Sequence, residues 1–216
     1  MAVGGMVPAT TLVRLVAYFL DSLLIALPSI LIVIILASAT QMFRDVDFSS
    51  PDSTRVFSER FAGIGGVLGT ILSFIYYVPL WSSAGQGTLG MRFLRLRLGN
   101  AADGARLPLN QAVRRWVAFG APLGLLGLLP GAGAQAGSLQ SLWTLVLLIS
   151  VIANPVKQGI HDTFAKTAVL MPAAGPGGRL AAGCLILIVA IALPVLLAFL
   201  FAVYIAMLMG APYYNP

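Results

Sequence analysis

The chain has 216 residues, of which 59% are hydrophobic and only 9% charged, against roughly a quarter charged in a soluble domain. Its mean hydropathy is +0.94, and its apolar residues come in blocks of about 20, the length that crosses a hydrocarbon core ~30 Å thick; a soluble fold is excluded. The net charge of +6 would point to nucleic acid in a soluble chain, but here the basic residues sit at span ends and in one loop. They read as topology and as contacts with anionic lipid headgroups, and no nucleic-acid partner is expected.

In chain order, residues 1–12 form an N-terminal segment and the first span covers 13–39. Ala37-Ser38-Ala39 looks like a small-residue cleavage site. However, the apolar stretch before it exceeds the ~7–15 residues of a signal peptide and contains Asp21, so a retained helix is expected. Residues 40–60 are polar, with Pro51 available as a first helical residue and a short surface helix expected through Arg55, Phe57 and Phe61. The second span covers 61–81. The third, 116–130, contains Pro122 and several glycines, and is expected to be tilted, extended into 132–136, or half of a re-entrant hairpin. The fourth covers 139–156, a linker 172–179, a further helix 180–210, and residues 211–216 form a tail. The fold class is therefore an all-α membrane bundle of about five transmembrane helices, each helical because backbone groups in lipid need partners within their own segment.

Orientation follows from the basic residues. With the N-terminus inside, ten of the thirteen Lys and Arg fall in inner segments, and Arg44, Arg55 and Arg60 fall outside among Asp45, Asp47, Asp52 and Glu59. That bias places the N-terminus in the cytoplasm and the C-terminus, Tyr213-Tyr214-Asn215-Pro216, outside. Trp81 and Trp116 then fall at the inner interface and Trp143 at the outer one.

The loop between spans two and three is the most patterned part of the chain. It reads Gly87-Thr88-Leu89-Gly90-Met91-Arg92, then Leu94-Arg95-Leu96-Arg97-Leu98, whose period of two predicts a strand or interfacial segment with one wet face. Asp103-Gly104 looks like the tip of a hairpin, so a small β-hairpin is expected at the inner surface.

Few residues carry chemistry. One His and one Cys, Cys184, leave no metal-ligand cluster and no internal disulfide, and no cofactor is expected. Arg14 and Asp21 lie seven residues apart in span one, on one face but roughly 10 Å apart along the axis. Each therefore needs a partner from elsewhere. An unpaired Asp21 in lipid costs at least ~2.5–3.5 kcal/mol, so it should face the bundle interior, with Tyr76, Tyr77 and Asn154 as polar groups at similar depth. It reads as a cation or proton site or, preferably, as a tie between helices. His161-Asp162 invites a general-base role, but no nucleophile motif or phosphate loop accompanies it and no catalytic residue is assigned. Asp162 is better placed to pair with Arg14 or Arg114.

These residues together resemble the RDD family of bacterial and archaeal membrane proteins. Arg14 with Asp21 resembles the family's arginine and first aspartate. Gly87, Thr88, Gly90 and Arg92 resemble its Gly-x-Thr-x-Gly-basic segment, and Asp103, Gly104 and Arg114 its following hairpin and basic helix start. His161-Asp162-Thr163-Phe164-Ala165-Lys166-Thr167 resembles its His-Asp-x-x-Ala-x-Thr signature, with Asp162 as the second aspartate; His161 and Thr167 frame it. The resemblance covers residues 9–171 and implies a multi-pass protein of the prokaryotic cytoplasmic membrane without enzyme chemistry. Two functions follow as expectations: an accessory or assembly subunit of a larger membrane complex, or a sodium (cation)–proton antiporter or other small-solute transporter, in either case with membrane-protein partners or a second copy. Glycine-rich faces at Gly63, Gly65, Gly66 and Gly69 and at Gly120, Gly124 and Gly127 favour close helix contacts. Pro28, in the helix of Asp21, favours a broken transport helix.

Overall fold

The computed structural model describes residues 5–40, 50–129 and 131–210. Arg44, Asp45 and Asp47 of the predicted outer loop, Pro130, and the predicted tail 211–216 lie outside the described residues. The helices in chain order are α1 (Thr11–Ala39), α2 (Pro51–Trp81), α3 (Leu89–Phe93), α4 (Leu109–Ala118), α5 (Gly133–Ala153), α6 (Ile160–Phe164) and α7 (Arg179–Gly210), with strands β1 (Met6–Pro8), β2 (Arg97–Asn100) and β3 (Thr167–Pro172). Among the described residues four helices, α1, α2, α5 and α7, are long and apolar enough to cross a membrane. The chain is thus a mostly helical membrane protein with a small sheet.

The predicted third span, 116–130, is not a continuous transmembrane helix. α4 ends at Ala118, Gly120 turns left-handed at φ +83°, and Ala121–Leu128 continues as a 3-10 helix. The cause is local: Pro122 removes a backbone donor, and Gly120, Gly124 and Gly127 are poor helix formers. The broken segment still runs antiparallel to α2 along its length. Trp116 Nε1 donates to Ser73 Oγ at 3.0 Å, and Thr70 Oγ1 lies 3.0 Å from the Ala121 carbonyl. Farther on, a Cβ on Gly66 would sit 2.8 Å from Gly124 O, and one on Gly63 2.7 Å from Gly127 O. These contacts run from Ser73 back to Gly63, ten residues of α2 or about 15 Å of helix. Backbone groups freed at the break find side chains. Trp143 Nε1 donates to the Ala118 carbonyl at 3.0 Å, which places Trp143 beside the break in the middle of α5 rather than at the predicted outer interface. Gly63 and Gly66 are therefore used inside the protein against Gly127 and Gly124, whereas a Cβ on Gly65 or Gly69 would meet nothing within 4 Å.

Two other expectations change. Among the described residues no separate surface helix precedes span two; Pro51 opens one helix that runs from Pro51 to Trp81, with Ser50 accepting from Ser53 N. And α1 continues unbroken through Pro28.

At one end of the bundle lies the sheet, ordered β1-β3-β2 with both neighbours antiparallel to β3; Met6 is opposite Pro172 and Arg97 opposite Leu170. The predicted hairpin is thus half right. The chain does turn at Asp103-Gly104, where Asp103 accepts from Ala105 N and Gly104 takes φ +70°, and Asn100 N donates across it to the Ala105 carbonyl at 2.9 Å, but the ladder of β2 is made with the distant β3. The Leu-Arg alternation sets which side is buried: Leu94, Leu96 and Leu98 are 0–2% exposed while Arg95 and Arg97 face out. These leucines, with Val13, Val16, Tyr77, Val78, Trp81 and Trp116, form the core at the sheet end, where α1, α2 and α4 meet the strands.

Two buried aspartates as the candidate functional site

Every motif residue that sequence reading singled out lies at the sheet end, and the buried ones gather around two acids. Asp162 is fully buried. It sits in the first turn of α6 and its Oδ2 accepts from the Gly159 amide at 3.1 Å. Arg14 Nη1, from the first turn of α1, reaches the same oxygen at 2.7 Å. Oδ1 is bonded by Arg115 Nη1, which also donates to Thr167 Oγ1 at 2.6 Å. The two guanidiniums hold the Asp162 carboxyl well below the usual carboxylate range, against the opposing effect of burial. His161 Nε2 stands 3.7 Å from Asp162 Oδ1, and its ring meets Phe119 edge-on at 5.4 Å. Burial, opposed by Asp162 and aided by the two arginines, lowers the His161 pKa to about 3, so the imidazole is neutral.

The second cationic partner is Arg115 and not Arg114. Helical spacing explains the choice: Ala112, Arg115 and Trp116 share the buried face of α4 and Arg114 points outward. Arg115 also lies over the Trp81 ring, 5.1 Å from its centroid, a cation–π contact that supports a guanidinium better than an ammonium.

Asp21 is 2% exposed and has a different shell. Tyr76 Oη donates to its Oδ1 at 2.6 Å, Gly90 N to the same oxygen at 2.8 Å, and Thr88 Oγ1 to Oδ2 at 2.5 Å. Among the described residues no cation touches it. Of the partners expected at this depth Tyr76 is correct, whereas Asn154 bonds its own turn at Val156 N. Thr88 and Gly90, read only as motif residues, are the missed partners. Their spacing held the signal: Thr88 caps α3 by accepting from Met91 N at 3.3 Å, a role the Thr predicts. Gly90 admits the close approach, since a Cβ there would lie 2.6 Å from Ala17 O and 2.8 Å from Asp21 Oδ1.

The remaining motif residues brace this loop. Gly87 is buried against Met91 and Leu96, and Arg92 Nη2 donates to Ser83 Oγ at 2.6 Å. Gln86 Nε2 bonds the Gly104 carbonyl at 3.0 Å, tying the loop to the Asp103-Gly104 turn. Arg114 and Asp103 are exposed.

Among the described residues no group of three His, Cys, Asp or Glu has the geometry of a metal site. A cavity of about 500 Å³ separates α1 from α5 and is lined at the sheet end by Arg14, Asp21, Arg115 and His161.

Comparison with known proteins agrees with the motifs. The model of the RDD family matches residues 8–166, a stretch that includes both aspartates and ends one residue short of Thr167. The chain is also similar to the uncharacterized protein YxaI of Bacillus subtilis (strain 168), with 27% identity over 171 residues, which cover 76% of this chain and 97% of that protein. No solved structure matches. With more than half its length matched, including the arginine and the two aspartates just described, the chain belongs to the RDD family.

Proposed function

We propose that this protein is a non-catalytic accessory or assembly subunit of a larger complex in the prokaryotic cytoplasmic membrane, with its sheet end in the cytoplasm. The orientation rests on the basic residues. Arg92, Arg95, Arg97, Arg106, Arg114, Arg115, Lys157, Lys166 and Arg179 all belong to segments at that end, where the positive-inside rule puts the cytoplasm and where anionic headgroups are available to the exposed ones.

The observation that carries the functional reading is the saturation of Asp21. A coupled exchanger needs a carboxylate that changes partners during its cycle. Asp21 instead receives three donors from α2 and the α3 loop and so ties α1 to both. Asp162 likewise joins α1, α4 and α6. Both acids are occupied in holding segments together. α7 offers a surface for a partner: it seats Gly183 against Val16, Leu20 and Leu94, and only 6% of its described span is buried in the protein.

The second reading is a cation–proton antiporter with Asp21 as the titrating group. It is favoured by the position of Asp21 on the cavity wall, with Tyr18 and Thr144 nearby on the same lining. Asp21→Asn separates the two. In the accessory reading the variant loses thermal stability and partner capture in mild detergent, and proteoliposomes of either form show no pH-dependent sodium uptake. Sodium uptake by the native chain that the variant abolishes, with folding intact, establishes the antiporter instead.

A further inference from the structure

The cavity between α1 and α5 has a largely apolar lining with charge at its sheet end. Leu15, Leu145 and Leu148 are among its apolar walls, Gln140, Ser141 and Thr144 line it farthest from the sheet on α5, and its mouth is lateral: Phe19 and Leu145, both on the lining, are 46% and 52% exposed on spans that face acyl chains. Its volume of about 500 Å³ lies within the ~300–1,000 Å³ of small-molecule sites. The sheet end is cationic. Two guanidiniums share one carboxylate there, and His161 is neutral, so the cluster carries an excess positive charge. Arg14 and Arg115 both line the cavity, Arg115 while only 5% exposed, and a guanidinium suits phosphate in particular. Asp21 also touches the cavity, but it lies seven residues deeper along α1 than Arg14, about 10 Å, and its oxygens already have donors.

We propose that this cavity binds an anionic phospholipid from the leaflet at the sheet end, with one acyl chain between α1 and α5 and the phosphate at Arg14 and Arg115. The lateral mouth admits a chain directly from the bilayer, and basic pockets between transmembrane helices are a known means of headgroup recognition. The arginine pair thereby acquires a second role, in which Asp162 fixes its position and the lipid phosphate balances the charge that Asp162 leaves over. The inference does not depend on the accessory role, because lipid retention is read on the isolated chain and partner capture in native membranes.

The full-length protein, released from detergent into native mass spectrometry, tests it with phosphatidylglycerol, phosphatidylcholine and inorganic phosphate as probes. The cavity-filling variant is Thr144→Phe, at a lining residue whose hydroxyl bonds only the Gln140 carbonyl of its own helix. One phosphatidylglycerol should be retained about tenfold more tightly than phosphatidylcholine, and Thr144→Phe should remove that preference, a gap of ~1.4 kcal/mol. Exposed arginines are untouched by this variant, so lipid held merely at the surface would survive it. Equal retention of the two lipids, unchanged retention in Thr144→Phe, or full displacement of phosphatidylglycerol by inorganic phosphate would overturn the proposal. Should Thr144→Phe fail to accumulate, quenching of tryptophan fluorescence gives the same comparison. Trp81 lines the cavity, and phosphatidylglycerol brominated on its acyl chain should quench more strongly than brominated phosphatidylcholine; equal quenching sinks the idea.

Discussion

Asp162 and Asp21 are buried to nearly the same extent, 0% and 2% exposed, within one small region, yet they are accommodated by opposite means. Asp162 has two guanidiniums, one backbone amide and, at 3.3 Å, the Thr167 hydroxyl, so its charge is compensated chiefly by charge. Asp21 has a tyrosine, a threonine and a backbone amide, so its oxygens are satisfied by neutral donors alone. The difference follows from where the chain can deliver each kind of partner. Asp162 lies in α6, outside the long spans, where the first turn of α1 and the buried face of α4 bring arginines whose stems cross the core. Asp21 lies nearly three turns inside α1, and what reaches that depth is a helix hydroxyl from α2 and a short loop whose glycine fits against the α1 backbone. Charge compensation is the more brittle of the two arrangements, because removing one member leaves the others buried and unpaired.

The largest effect should therefore come from Asp162→Asn, which leaves Arg14 and Arg115 facing each other without an anion. A loss of about 3–5 kcal/mol is expected from breaking a buried ion pair, read as failure to accumulate or as a collapse of the thermal midpoint in detergent. Asp21→Asn keeps an acceptor for Tyr76 and Gly90 and should cost less, about 1–3 kcal/mol. If the two variants prove equally stable, the contrast between charged and neutral compensation is wrong.

Gly90→Ala attacks the neutral arrangement from the side of the loop. The added Cβ would meet the Ala17 carbonyl at 2.6 Å, and backbone cannot give way as a side-chain tip does. We expect about 1–3 kcal/mol, the usual range for overpacking, together with loosening of the loop. Faster amide exchange at Leu89 and Gly90, with exchange in β3 unchanged, is the measurement; protection unchanged at Gly90 would show that Asp21 does not depend on this approach.

A smaller effect is graded by pH. His161 is neutral in the folded protein with its pKa lowered to about 3, whereas an unfolded histidine titrates near ~6.5. The unfolded state thus binds the extra proton first. Stability is at its full value above about pH 6.5 and falls as pH drops toward 3, by roughly 1.4 kcal/mol per unit for one proton. Asp162 adds no slope across most of that window: its folded pKa is depressed, so its stabilisation is fully present above the unfolded value of ~3.9 and is lost only as pH falls below it. Thermal midpoints measured from pH 7 to 4 should fall for the native chain and flatten in His161→Phe. Parallel slopes in the two proteins would assign the acid sensitivity elsewhere.

How much of this arrangement can be read from the sequence depends on the range of the physics involved. The offset of Arg14 from Asp21 is a property of one helix, so the need for two separate partners is legible, and Asp162 can be named for Arg14 from its place at a span end. The Leu94–Leu98 alternation is equally local, and burial follows it. By contrast, the strand that β2 joins is about 70 residues away in sequence, and nothing near Arg97 signals β3. The break in the predicted third span is legible only as weakness, from Pro122 and the glycines. That the segment still follows α2 depends on Gly63 and Gly66 leaving room, a fact about two segments at once. Thr88 and Gly90 are visible as a motif but not as ligands of Asp21, because a cap residue and a glycine have ordinary local explanations.

Arg114 and Arg115 provide the smallest and sharpest test, since they are adjacent, chemically identical and separated only by 100° around α4. Arg114 is exposed, whereas Arg115 is 5% exposed against Asp162, Thr167 and Trp81. Arg114→Gln should leave the thermal midpoint within the change typical of a surface substitution, about 0.5 kcal/mol or less. Arg115→Gln should approach the cost of Asp162→Asn, because it leaves that carboxylate with one cation and Thr167 without its donor. The pair of variants compared in the same detergent isolates the helix face as the cause. Should Arg114→Gln be the more damaging, α4 is turned about its axis relative to the arrangement described, and the charge on Asp162 would then be held by Arg14 and Arg114.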